Sequence, residues 1–184
     1  MTTIKLNKEI DDYYEYFYEV LKIQQQKKKI AEKGTVENSS ITYKTLIAST
    51  ILTAFSFFAM TAIVIYDKTN WFFWILLVLF LILLILGIRG VAVISIAVKM
   101  NKKNRGKRSI SIDKELIISS VLNQTITLNW DNIAYFIIGK YSITFISKNL
   151  EEASVGLPIE YKEEVLDAIR KENVIIDTEK CMLI

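Results

Sequence analysis

Six cations fall between residues 99 and 108 (KMNKKNRGKR): Lys99, Lys102, Lys103, Arg105, Lys107 and Arg108, with no acid among them. Clustered ammonium and guanidinium groups hold anions, phosphate-bearing lipid headgroups in particular, at about 1 kcal/mol per charge near a negative leaflet. A cytoplasmic flank of a membrane span needs the same residues for orientation alone, and the two uses are compatible. A second constellation is Trp130-Asp131, an indole beside a carboxylate. It reads either as a recognition surface or as a structural corner, the ring closing one end of a small core and the carboxylate fixing a turn. Glu151 and Glu152 are adjacent carboxylates in a polar stretch. Acid–base catalysis needs two carboxylates held in different environments, which such neighbours do not supply.

The composition excludes much familiar chemistry. With no histidine and a single cysteine, Cys181, the chain lacks Ser-His-Asp, Cys-His and His-based zinc arrangements, and it cannot form an internal disulfide. Neither a phosphate-binding glycine loop nor a metal-ligand spacing occurs. No cofactor, no metal and no enzymatic activity are therefore expected. The net charge of +3 conceals an asymmetry, because residues 109–184 carry seven basic against twelve acidic residues, a net of −5. That balance disfavours a phosphoinositide site in this region, whose strand-region lysines Lys114, Lys140 and Lys148 are scattered, and nucleic acid is not expected as a partner.

Two uncharged apolar runs must position these groups. Thr45 to Tyr66 (TLIASTILTAFSFFAMTAIVIY) spans about 33 Å as helix, and Trp71 to Ile88 (WFFWILLVLFLILLILGI) about 27 Å. A bilayer core is about 30 Å thick, so each run is long enough to cross it, and together they predict a helical hairpin. The sequence divides into a cytoplasmic amphipathic helical lead (1–44), a first membrane helix (45–66), an extracytoplasmic turn (67–70), a second membrane helix with a cytoplasmic extension (71–98), a basic juxtamembrane segment (99–108) and a cytoplasmic domain (109–184). No secretory signal is read at the polar N-terminus. The basic flanks place both termini in the cytoplasm of a plasma-membrane protein, with Trp71 and Trp74 in the outer interface. Arg89, about 27 Å along the helix from Trp71, is placed to snorkel to the inner headgroups, where it avoids the roughly 2.5–3.5 kcal/mol cost of a mid-membrane arginine. Ser49, Thr53 and Ser56 on the first span and Gly87 and Gly90 on the second are candidates for close helix approach, or simply small residues of membrane helices. The terminal Cys181-Met182-Leu183-Ile184 has the outline of a prenylation box, read as coincidence in a chain already anchored twice.

In the lead, Ile10, Tyr14, Phe17 and Leu21 recur at helical spacing, acids precede lysines as the helix dipole favours, and Gly34 is a natural C-cap. This helix lies on the inner leaflet or packs against the C-terminal domain or the span. Beyond Ser109 the period becomes two. Ser109–Asp113, Thr125–Asn129 and Tyr141–Ser147 alternate, Leu116–Ser120 and Ile133–Ile138 are short isoleucine-rich apolar runs, and together they read as consecutive hairpins parted by Asp113-Lys114, Asn123-Gln124 and Gly139-Lys140. A helix follows Leu157-Pro158-Ile159, with Tyr161, Val165, Leu166 and Ile169 on its apolar face. The fold class expected is thus a two-helix membrane hairpin plus a small cytoplasmic α+β domain, antiparallel strands closed by a C-terminal helix.

The strand Ser109–Asp113, the step Trp130-Asp131-Asn132-Ile133 and Leu157-Pro158-Ile159 before the terminal helix resemble the bacterial pleckstrin-homology-like domains, in particular the YcxB-like membrane proteins. The resemblance covers roughly residues 45–175. In place of the glycine often found after the first strand stand Glu115 and Leu116. The resemblance implies a two-span hairpin bearing a cytoplasmic strand meander, acting without catalysis on lipid or protein. Similar anchored domains occur among self-immunity proteins of bacteriocin producers. The partners expected are membrane lipids and a protein of unknown identity, with a homo-oligomer also compatible. An accessory subunit of a transporter or membrane enzyme complex is the alternative.

Overall fold

A computed structural model describes residues 1–36, 42–66, 70–104, 107–121, 124–149, 151, 154–174 and 181–183. The chain forms two compact units, one of Met1–Ser39 with Val98–Ile184 and the other of Ser40–Ala97. Arg105, Glu152, most of the expected turn 67–70 and Ile184 lie outside the described residues.

The second unit is two long helices, α3 (Tyr43–Tyr66) and most of α4 (Trp71–Lys103). Both are long and apolar enough to cross a membrane, and of their most apolar stretches 6% and 0% respectively is buried. The half-covered side chains of α3, from Leu46 and Thr50 through Phe57 to Thr61, recur at helical spacing and mark its contact stripe. Hydroxyls on α3 bond within the helix: Thr50 donates to Leu46 O at 2.8 Å, Thr53 to Ser49 O at 2.8 Å and Thr61 to Phe57 O at 2.8 Å. Such bonding is what a hydroxyl requires where water is absent. Gly87 and Gly90 make the close approach expected of them, and of the three small residues expected on α3, Thr53 and Ser56 are half-covered. Thr50 meets Gly87 and Leu46 meets Gly90, whereas Ser49 is exposed. Ser49 lies one residue, about 100°, round the helix from Thr50, and a chain rich in small residues on several faces does not single one out.

Among its described residues the first unit holds two four-stranded sheets, ordered β1-β2-β3-β4 and β7-β6-β5-β8. The strands are β1 (Thr2–Lys5), β2 (Arg108–Ile112), β3 (Leu116–Val121), β4 (Gln124–Asn129), β5 (Ile133–Ile138), β6 (Ser142–Ser147), β7 (Val155–Pro158) and β8 (Cys181–Leu183). All pairings are antiparallel except β5 with β8. Ile110, Ile112, Ile117 and Leu128 from one sheet join Phe136, Ile143, Phe145 and Leu157 from the other, and α5 (Lys162–Lys171) closes the core with Val165, Ala168 and Ile169. Antiparallel strands with a C-terminal helix agree with the expected α+β class.

Three expectations change. The run of consecutive hairpins breaks between β4 and β5, where a 3₁₀ turn at Trp130–Asn132 carries the chain from one sheet to the other. The strands β7 and β8 escape the periodic pattern because they are only four and three residues long. The lead 1–44 is not helical throughout: β1 adds to the first sheet, pairing Thr2 with Ile112 and Ile4 with Ile110. The helices α1 (Tyr13–Gln25) and α2 (Lys27–Lys33) then cover the outer face of the second sheet, where Ile23 and Ile30 pack with Ala134, Ile137 and Ile146. The buried stripe of α1 runs through Tyr13, Tyr16 and Ile23, while Tyr14 of the expected stripe is exposed. Both faces carry aromatic rings, so periodicity alone did not distinguish them. Asp12 caps α1 by accepting from Glu15 N, and Gly34, at φ 62°, ends α2 in the left-handed conformation that a glycine adopts most easily.

Candidate functional site

Helix α4 does not stop at the apolar run. It continues to Lys103, so Lys99, Lys102 and Lys103 stand at i, i+3 and i+4 on one helical face. Cations in a last helical turn complement the dipole, which helps to explain why the helix persists into so charged a segment. Lys99, Lys102, Lys103 and Lys107 are exposed. The Lys102 ammonium lies 5.2 Å from the Tyr13 ring centre, a cation–π contact that orients it against α1. These point charges on flexible stems are suited to a diffuse anionic surface rather than to one bidentate ligand.

Arg108 behaves differently from its neighbours. It opens β2, is half-buried, and its Nη2 donates to the Gly156 carbonyl at 2.7 Å. Tyr16 of α1, wholly enclosed, donates its hydroxyl to the same oxygen at 3.0 Å. One carbonyl has two lone pairs, so a single atom of β7 accepts from both α1 and β2. Burial pushes the Tyr16 phenol above its usual pKa, while the nearby Arg108 charge works the other way. Residue 156 must be small because a Cβ there would stand 3.0 Å from both Val20 methyl carbons. Arg108 thus holds the unit together instead of joining the exposed cations.

Trp130 is partly buried, its indole N–H donating to Asp113 O at 2.8 Å and its ring meeting Phe145 edge-on at 5.9 Å. The ring packs against the core as the structural reading of this corner supposes. The turn, however, is held by a different residue: Asn129 Oδ1 accepts from Asp131 N at 2.9 Å, and the Asp131 side chain is exposed. What Asp131 contributes is its carbonyl, which accepts from Lys148 Nζ at 2.6 Å. Glu151 is exposed, its backbone N–H donating to Asn149 Oδ1 at 3.0 Å. Cys181 is a free, exposed thiol at the start of β8.

In the helical unit Trp71 and Trp74 are exposed near the start of α4, and Arg89 is exposed two turns before the end of that unit. Among the described residues no cluster of three His, Cys, Asp or Glu could hold a metal.

Sequence reasoning missed Glu19. Its carboxylate accepts from Ser142 Oγ at 2.6 Å and from Tyr141 N at 3.2 Å, docking α1 on the β5–β6 turn. It also missed Lys8, whose backbone N–H donates to Tyr161 Oη and whose ammonium reaches Glu160 O at 2.9 Å and Glu164 at 2.5 Å. The partners in both sets are over 120 residues apart, and no local spacing signals them. No family model, no curated protein and no solved structure gives a significant match to this chain.

Proposed function

We propose that this chain is a non-catalytic membrane protein whose helical hairpin holds a pleckstrin-homology-like domain at the cytoplasmic leaflet, where the domain engages lipid and a protein partner. The observation that carries this reading is the uncovered apolar surface of the two helices, with no more than 6% of their most apolar stretches buried. Exposed Phe55, Phe58, Leu83 and Leu86 are among the side chains that have no reason to face water. The lysines at Lys99, Lys102 and Lys103 continue the same helix, as a cytoplasmic flank requires. Two largely antiparallel sheets sharing one core with a closing helix support the domain assignment.

The test is carbonate extraction of bacterial membranes carrying the full chain, followed by protease treatment of spheroplasts and of inverted vesicles. The chain should stay in the pellet and lose its C-terminal portion only in inverted vesicles. Recovery in the aqueous fraction, or trimming of intact spheroplasts, would overturn the reading. Self-immunity is one form this function takes; expression in a strain sensitive to membrane-active peptides tests it, and unchanged killing across a panel removes it.

A further inference from the structure

Among the described residues, β1 and β4 are the edges of the first sheet and β7 and β8 those of the second. An edge strand presents unpaired backbone N–H and C=O groups to any chain that can lie beside it. Three of these edges are blunted. β1 has four residues and ends in exposed Lys5, β7 has four and ends in Pro158, and β8 has three. β4, QTITLN, has six residues with no charge and no proline, and its register with β3 runs unbroken from Val121↔Gln124 to Leu116↔Asn129.

The register also fixes which backbone groups of β4 face outward. Trp130 N–H donates to Glu115 O at 3.1 Å, so in this antiparallel ladder Gln124, Ile126 and Leu128 turn their backbone groups toward β3. The N–H and C=O groups of Thr125, Thr127 and Asn129 therefore point to the open edge, where no strand stands among the described residues. The side chains of these three are exposed, while Leu128 is buried in the core and Ile126 is half-buried against it.

We propose that β4 pairs antiparallel with β4 of a second copy of this chain, joining the two β1–β4 sheets into one continuous sheet. A twofold axis through Thr127 sets Thr127 against itself and Thr125 against Asn129, and turns the outward groups into about six backbone hydrogen bonds. In the same register Ile126 lies opposite Leu128 of the second copy and gains the cover it lacks, and threonine pairs are favourable cross-strand neighbours. Charge selects the occupant. From Leu116 to Asn129 the sequence carries no charge, in a chain of which 23% is charged. A basic or acidic peptide would find no counter-charge along this edge, whereas a second copy meets its own neutral strand with no like charges opposed. The pairing rests on the first unit alone and does not require the membrane-spanning reading.

The experiment is native mass spectrometry of the full chain in mild detergent, where the wild type should appear as a dimer. Thr127→Lys and Thr127→Glu change an exposed side chain and set like charges against each other across the twofold. Each should weaken the dimer about tenfold, and mixing the two should restore it as the hetero-pair. In a Cys181→Ser background, Thr127→Cys should form a disulfide between copies, since the paired Cα atoms would stand about 5.5 Å apart. Thr125→Cys, displaced along the strand from its counterpart, should not. A chain that stays monomeric, a dimer indifferent to both charge variants, no recovery on mixing, or cross-linking at residue 125 as strong as at 127 would overturn the β4 pair. So would a different protein or peptide recovered in place of the second copy.

Discussion

Glu19 and Ser142 are 123 residues apart in sequence, yet Ser142 Oγ donates to the Glu19 carboxylate at 2.6 Å. Through this contact a helix ahead of the apolar hairpin is fastened to a strand that follows it. The strand β6, SITFIS, is buried at all six positions. Ile143 and Phe145 enter the core between the sheets, and Ile146 enters the cluster under α1 and α2.

Replacing Glu19 by Ala should leave the Tyr141 N–H and the buried Ser142 hydroxyl unsatisfied and cost about 2–3 kcal/mol. Gly139→Ala should act through the same contact, because a Cβ at residue 139 would stand too close to the Glu19 carboxylate for it to stay in place. The double variant is then expected to be no worse than either single one. Amide hydrogen exchange in α1 reads the effect, and additive losses would show that the two residues act separately.

Gly87→Val should wedge the hairpin apart, since the first carbon added there stands 2.6 Å from Thr50 Oγ1. Overpacking of this kind costs about 1–3 kcal/mol. Thr50→Ala combined with Gly87→Ala should recover most of the loss, as seen in the thermal denaturation of the chain in detergent. No recovery would place the Gly87 contact elsewhere.

At the Trp130 corner, Trp130→Phe keeps a ring beside Phe145 and loses only the hydrogen bond to Asp113 O, worth about 1 kcal/mol, whereas Trp130→Ala should cost about 3 kcal/mol. Asn129→Ala should cost about 1 kcal/mol by removing the cap, and Asp131→Asn should be close to neutral. Urea unfolding followed by near-ultraviolet circular dichroism ranks the four. Asp131→Asn proving the costlier of the last pair would restore the carboxylate as the turn's anchor.

Hydrogen bonding from Thr2 Oγ1, reinforced by the Met1 amino group 2.9 Å away, holds the Glu172 carboxyl below its ordinary pKa. A carboxyl with a depressed folded pKa stabilises the fold above its unfolded pKa, about 4.3, and that contribution is lost as pH falls through the folded value. The tie between β1 and the end of α5 should therefore be intact near neutrality and loosen only in acid below about pH 4. Exchange of the β1 amides, corrected for intrinsic rates, should rise there in the wild type and lose this step in Glu172→Gln.

Much was already determined by local pattern. An uncharged run long enough to span a bilayer needs no partner to be recognised, and neither does the alternation of β2, β4 and β6 or the short apolar runs of β3 and β5, because these signals lie within a few adjacent residues. The Gly34 cap and the helix after Pro158 were legible for the same reason. Which polar face is covered, which of two aromatic stripes on α1 turns inward, that Thr50 rather than Ser49 meets Gly87, and that Arg108 leaves the basic cluster for the Gly156 carbonyl were decided only by tertiary structure. Each of these depends on a surface supplied from a distant part of the chain. Ser142 and Thr144 are the polar members of an alternating strand, yet both are buried, because α1, more than a hundred residues earlier, brings Glu19 and its apolar neighbours to that side of β6.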